Sequence, residues 1–243
     1  MRWLVLRLRA PLAAFGAEAV DARGPTRDFP ALSAITGLFA NALGYERAEA
    51  DRLQALQDRL ILASRREAEP PLGRLTDFQT AQLGAGDEGW TTRGGAEGRA
   101  GGADTYRSPH IRRRDHHADA RLLAVVTLTD PDAAPTLDDI AAALDRPARP
   151  LFIGRKHCLP SARVFNGFVT APSALAALQA LPWDRMDDDR ETPRILRASW
   201  PEGDGGGDRV VETAEARVWR TGLHGGARAT REGRIPPAAE PTP

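Results

Sequence analysis

Residues 3–8, Trp-Leu-Val-Leu-Arg-Leu, alternate and are rich in β-formers, while residues 33–43 are apolar on most faces and are stopped by Gly44. A strand is therefore fed through one polar loop, Gly24-Pro25-Thr26-Arg27-Asp28-Phe29-Pro30, into a buried helix. The loop delivers that helix with the backbone N–H groups of its first turn open, near Ser33, and with Arg27 just outside, which is a seat for a phosphate. So read, the chain is built to hold an anionic backbone. An ordinary strand-to-helix connection has the same loop, cap and glycine stop, so the remaining residues must decide.

Further along, the pattern predicts a helix over 48–57 with Leu53 and Leu56 on one face, a strand over 60–65 and an extended run over 74–82. Residues 84–104 change character: glycines recur at 84, 86, 89, 94, 95, 98, 101 and 102, and Trp90 is the one large apolar residue. Such a segment cannot bury enough surface to fold alone, so it is an insertion or an arm that orders on a partner. A central strand is expected over 118–129, a capped helix over 136–144 with Asp138 and Asp139 in its first turn, and a strand over 151–153. In order this is β-α-β-(insertion)-β-α-β, an α+β chain with the ferredoxin-like arrangement of two helices on one face of an antiparallel sheet. The last third predicts a strand over 163–170, a helix over 173–181, a solvated acidic run over 184–191, and hairpin strands over 194–200 and 209–219. The expected division is a domain over 1–160 with a thumb-like insertion at about 83–110, a smaller β-rich subdomain over 161–221, and a flexible tail over 222–243.

Charge narrows the function. The chain has 33 basic and 33 acidic residues, and zero net charge argues against a protein that coats nucleic acid indiscriminately. Only Lys156 is lysine, so the other 32 cations are arginines, the side chain suited to forked phosphate contacts and to stacking on bases. They are also segregated: Arg107, Arg112, Arg113 and Arg114 precede a stretch carrying Asp130, Asp132, Asp138, Asp139 and Asp145, which permits a local basic groove. A second basic unit, Arg155 and Lys156, is pinned between Gly154 and Pro160. The lone Cys158 excludes an intrachain disulfide and a cysteine-rich zinc site, and a reducing cytoplasm fits. Arg7 and Arg9 break the apolar start well short of an export signal, and no window reaches the ~18 apolar residues of a membrane span. His116 and His117 adjoin the arginine run and could act in metal-free RNA cleavage. Adjacent strand residues point to opposite faces, however, and neither nucleophile nor second base is identifiable. His110 and His157 show no ligand-like spacing. No catalytic residue, metal or cofactor is expected.

Four blocks of the chain resemble, in the same order, the e-subtype (CasD) branch of the Cas-five family in type I-E CRISPR Cascade. They are Arg7-Leu8-Arg9-Ala10-Pro11-Leu12-Ala13-Ala14-Phe15-Gly16, the run from Arg27-Asp28-Phe29-Pro30 to Leu43-Gly44, Thr76-Asp77-Phe78-Gln79-Thr80, and Leu151-Phe152-Ile153-Gly154-Arg155-Lys156-His157-Cys158-Leu159-Pro160. The resemblance implies a ferredoxin-like RAMP domain with a protruding thumb that grips the 5′ handle of the CRISPR RNA. It further implies packing against a CasC-type backbone subunit and a CasA-type large subunit, with target DNA met only through the complex, no membrane, and a role in antiviral defence. The RNA-binding candidates are then Arg23, Arg27, Ser33, Arg107, Arg112, Arg113, Arg114, His116, Arg155 and Lys156, with Trp90 and Arg93 as thumb or partner contacts. The alternative reading is a metal-independent precursor-RNA endoribonuclease like that of a sister subtype, using His116 or His117. That subtype's enzyme uses Tyr, Lys and His, and no lysine lies near these histidines.

Overall fold

Alternating burial runs well past the apolar start of the chain. Residues 2–13 form a single twelve-residue strand, β1 (Arg2–Ala13), with Leu4, Leu6 and Leu8 on one face and Trp3 and Val5 on the other. The computed structural model describes residues 1–17, 22–69, 73–81, 89–90, 96–97, 110–187, 189, 191 and 193–239. After β1 come β2 (Arg23–Gly24), α1 (Leu32–Ala42), α2 (Ala50–Arg59), β3 (Leu60–Arg66), β4 (Arg74–Ala81), β5 (Gly89–Trp90), β6 (Ala96–Glu97) and β7 (His110–Leu128). Then follow α3 (Leu137–Asp145), β8 (Phe165–Thr170), α4 (Ala174–Gln179), β9 (Leu196–Pro201), β10 (Arg209–Ala214), β11 (Arg217–Val218), β12 (Leu223–His224) and β13 (Ala227–Ile235). The fold is mixed α and β and rich in strands. Among the described residues no helix is long and apolar enough to cross a membrane.

Seven strands run side by side in the order β10-β13-β9-β3-β7-β1-β8, and β2 and β4 pair with the outer half of β7. Helices α1 and α2 connect β1 to β3, and α3 lies between β7 and β8. These three helices cover one face of the sheet through Ile35, Phe39, Leu56 and Ile140, packed on Leu4, Leu6, Leu62 and Val126. Helix α4 covers the other face with Ala174, Ala177 and Leu178 against Trp3, Val125 and Trp200. The helix ends are the ones the sequence announces. Thr136 and Asp139 form a capping box at α3. Gly44, at φ 80°, closes α1 with paired bonds from Tyr45 N–H to Ala40 O and from Gly44 N–H to Asn41 O.

Strand β7 does two jobs. Its inner half lies between β1 and β3, and its outer half, from His117 back to His110, pairs with β4 to make a ribbon that β2 joins at Arg113 and Arg114. Asp119 sits where the partners change, at φ 47°, a left-handed conformation that Asp tolerates better than most residues. The ribbon leads into the glycine-rich insertion. Of residues 84–104 only β5 and β6 are described, so the expected thumb lies largely outside the described residues.

Three expectations change. Residues 151–153 are not a strand: Gly154, at φ 91°, turns the chain back, so Ile153 N–H meets Cys158 O at 2.7 Å, and β8 takes the place beside β1. A separate subdomain over 161–221 is not formed, because β8 pairs with β1 while β9, β13 and β10 extend the sheet beyond β3. The tail is not frayed over its whole length, since Ala227–Ile235 is strand β13, inserted between β9 and β10. Its polar composition hid it, because a strand paired on both sides is held by its backbone ladder whatever its side chains.

The acidic run over 184–191 is likewise tied in. Asp184 is buried and accepts from Arg7 Nε at 2.9 Å and Arg9 Nε at 2.7 Å, and Arg121 clamps Asp189 with bonds of 2.6 and 2.7 Å. Beneath them Arg65 and Glu67 form a fully buried pair at 2.7 Å.

Candidate nucleic-acid interface

The loop before α1 is nailed down residue by residue. Thr26 Oγ1 accepts from Phe15 N–H at 2.9 Å, and Arg27 Nε donates to Gly16 O at 3.0 Å. The Arg27 carbonyl meets His117 Nε2 at 2.7 Å, and Arg66 donates to Asp28 O at 3.0 Å. Asp28 itself accepts from Arg197 at 2.5 Å and from Arg74 at 2.8 Å, joining the loop to β9 and β4. Burial alone would push this carboxyl up, but those two arginines outweigh it and hold the pKa at about 2. A carboxylate whose folded pKa lies below its ordinary 3.8 contributes stability above that value and loses it as pH falls towards about 2. The stability gap between wild type and Asp28→Asn, read as urea midpoints from pH 5 to pH 2, is therefore expected to close across that acid window. A gap independent of pH would contradict it.

So held, the loop forms one wall of a cleft of about 560 Å³. The other walls are Phe15 and Gly16 after β1, Ser33 and Gly37 of α1, Phe152, Gly154 and Arg155, and Glu215, Arg217 and His224 from the C-terminal region. No side chain caps α1 and no acidic residue occupies its first turn; Ala34 N–H turns back to Ala31 O at 3.0 Å, and the positive end of the helix at Leu32 and Ser33 faces the cleft uncompensated by a carboxylate. Glu215 is neutralised by Arg228, with which it forms an ion pair. The remaining charged side chains of the cleft, Arg27, Arg155 and Arg217, are cationic.

Arg155 is both staple and charge. It donates to Asp115 O at 2.9 Å and Gly24 O at 3.0 Å, and its Nη1 lies 3.0 Å from His116 Nε2. Burial, and after it the charge of Arg114, lowers the Arg155 pKa, so an anion placed between these cations relieves them. A Cβ on Gly24 would lie 3.0 Å from Arg114 Nη1 and 3.2 Å from Arg155 Nη2, so both guanidinium groups sit over one glycine of β2. The Arg114 guanidinium makes no hydrogen bond among the described residues.

Of the residues the sequence singled out, Arg27, Ser33 and Arg155 line the cleft and Arg114 adjoins it. Arg112 and Arg114 are half-buried while Arg113 between them is exposed, as alternation requires; Arg112 turns to Ile111 O at 2.9 Å. Arg23, in register with Arg113, and Lys156 are exposed at the margins. His116, an RNA-binding candidate from the sequence, is fully buried behind the cleft wall, with its ring facing Arg155 and His157. Burial, then Arg155 and His157, lower its pKa, and burial lowers that of His117. Arg93 and Arg107, and the side chain of Trp90, lie outside the described residues. Sequence reasoning missed Glu215, Arg217 and His224, which reach the cleft only because the C-terminal strands return to the main sheet; no local motif marks them.

The chain is 28% identical over 185 residues to the CRISPR system Cascade subunit CasD of Escherichia coli strain K12, covering 72% of this chain and 75% of that protein. Its fold is similar to a chain of a solved CRISPR RNA-guided surveillance complex, with a TM-score of 0.68 at 22% identity over 98% of this chain and 94% of that one. A solved Cas protein gives a TM-score of 0.61 at 25% identity over 96% and 95%. The family model described as CRISPR-associated protein (Cas_Cas5) matches residues 3–231, and the chain belongs to that family.

Proposed function

We propose that this protein is a non-catalytic CRISPR RNA-binding subunit of a Cascade-type surveillance complex, seating the unpaired 5′ handle of the RNA in the cleft at the start of α1. The observation that carries the reading is the convergence of Arg27, Arg155 and the uncapped first turn of α1 at Ser33 on one cavity, with Arg114 at its edge. Single-stranded RNA needs cations and amides for its backbone and planar groups for its bases, and the guanidinium planes of Arg114 and Arg155 supply both. The strand order β3-β7-β1-β8, with helices between β1 and β3 and between β7 and β8, supports a ferredoxin-like RAMP core, and the β4–β7 ribbon supports a thumb rising from it. In the assembled complex the subunit caps the filament of backbone subunits beside the large subunit. A cleaving role for His116 or His117 is disfavoured, because both rings are buried and engaged.

The test is fluorescence anisotropy of the full chain with a short unpaired RNA leader at several salt concentrations. Arg114→Ala, which removes no hydrogen bond among the described residues, is expected to weaken binding about tenfold and to flatten the salt slope by about 0.7, the value of one single-strand phosphate contact. An unchanged affinity and slope would overturn the reading. The same RNA incubated without metal is expected to stay intact, and cleavage abolished by His117→Ala would establish the nuclease instead.

A further inference from the structure

We propose that His116, His157 and Cys158 form a binding site for a divalent transition ion of the zinc class, just behind the cleft wall. Their ligand atoms all lie within 4.8 Å of one another. His116 and Cys158 are fully buried, whereas His157 is exposed and gives the ion a way in from solvent. His116 is fixed on β7. The other two are fixed by the turn after Gly154, in which Cys158 N–H donates to Arg155 O at 2.9 Å and Cys158 O accepts from Ile153 N–H at 2.7 Å. One ligand thus comes from the sheet and two from a rigid turn 41 residues away, which is why spacing along the chain gave no hint of them.

Proton counting favours an ion over a hydrogen-bonded pair of histidines. His116 Nε2 faces Arg155 Nη1 at 3.0 Å and His157 Nε2 at 2.8 Å. Arginine only donates, so His116 Nε2 must accept, and a neutral ring then carries its proton on Nδ1. That Nδ1 is buried and faces the backbone carbonyl of Arg114 without reaching hydrogen-bond geometry. His157 Nε2 must also donate to the same single lone pair. A metal ion between the rings removes the conflict, because each ring then offers its own lone pair to the ion. Zinc–nitrogen bonds of ~2.0–2.1 Å in a tetrahedral site require only that the two nitrogens part by roughly half an ångström. Arg155 gives up one bond but keeps the carbonyls of Asp115 and Gly24. Cys158 binds as thiolate and releases its proton to solvent, and its negative charge offsets part of the repulsion between the ion and Arg155. Two imidazoles and a thiolate suit zinc among available ions, and three protein ligands leave a fourth position for water.

The test uses tag-free, chelator-stripped full chain. Titration with Co(II) is expected to give a thiolate-to-cobalt charge-transfer band that saturates at one equivalent, and zinc is expected to displace the cobalt and raise the melting temperature. Cys158→Ser should abolish the band. His157→Ala removes an exposed side chain and leaves the core intact, and it should lower zinc affinity by more than the ~10–100-fold that loss of an outer-shell partner costs. Lys156→Ala, in the same turn, should change neither. A folded wild-type chain that gives no band and binds no zinc, or equal binding by the wild type and His157→Ala, would overturn the proposal.

Discussion

Gly154→Ala is expected to destabilise the protein by about 2–5 kcal/mol, combining ~1–2 for a left-handed non-glycine residue with ~1–3 for overpacking. The cause is local and severe. Gly154 has φ 91°, and a Cβ there would lie 1.6 Å from the carbonyl oxygen of Ala14 and 2.7 Å from its carbon. Neither neighbour can yield cheaply, since Ala14 N–H is bonded to Ile153 O at 3.2 Å and Ala14 is itself buried behind β1. The end of β1 and the turn carrying Arg155 must therefore separate, and both line the cleft. Urea midpoint and RNA affinity are expected to fall together. For stability alone, Gly37→Ala is the control: a Cβ there meets nothing within 4 Å, and alanine within α1 is expected to add about 0.5–1 kcal/mol. An unshifted midpoint for Gly154→Ala would show that the close approach at Ala14 does not exist.

Arg65→Met is expected to cost about 3–5 kcal/mol, the usual penalty for breaking a buried ion pair from one side. Arg65 uses all its N–H groups: Nε and Nη2 hold Glu67 at 2.7 and 3.3 Å, Nη1 holds Leu178 O and Leu181 O at 2.8 and 3.0 Å, and Nη2 also holds Pro182 O at 2.8 Å. Without it the buried carboxylate keeps, among the described residues, only the Asp184 N–H at 2.8 Å, and three carbonyls lose the guanidinium, although Leu178 O retains Leu181 N–H at 3.3 Å and Leu181 O retains Ala238 N–H at 3.0 Å. Adding Glu67→Gln removes the orphaned charge, so the double variant is expected to be more stable than Arg65→Met alone. Equilibrium urea unfolding of the three chains tests this, and a loss below about 1 kcal/mol for Arg65→Met would show that the pair is not buried as described.

Much of the fold was legible because helices declare themselves at both ends and along one face. Leu53 and Leu56 announced α2, Thr136 with Asp139 announced α3, and Gly44 announced the stop of α1. What failed were segments whose fate is decided by partners far along the chain. Residues 151–153 are three apolar residues between Pro150 and Gly154, too few for period to tell a strand from a packed loop, and the turn at Gly154 decided it. Residues 227–235 carry three arginines and a glutamate and look like a tail, yet Arg209 reaches across to Glu232 at 2.6 Å and both edges of the strand are paired. The same division runs through the cleft. Arg27, Ser33 and Arg155 were visible because the loop, the start of α1 and the turn at Gly154 are local features, whereas Arg217 and His224 depend on the path of the C-terminal strands.

The unbroken course of β7 has a mechanical consequence. Arg114 and His116 ride on the ribbon half of a strand whose other half is locked in the middle of the sheet, with no loop between them to absorb rotation. A twist of the ribbon therefore carries Arg114 and His116 with it, against an inner half that the flanking strands hold in place.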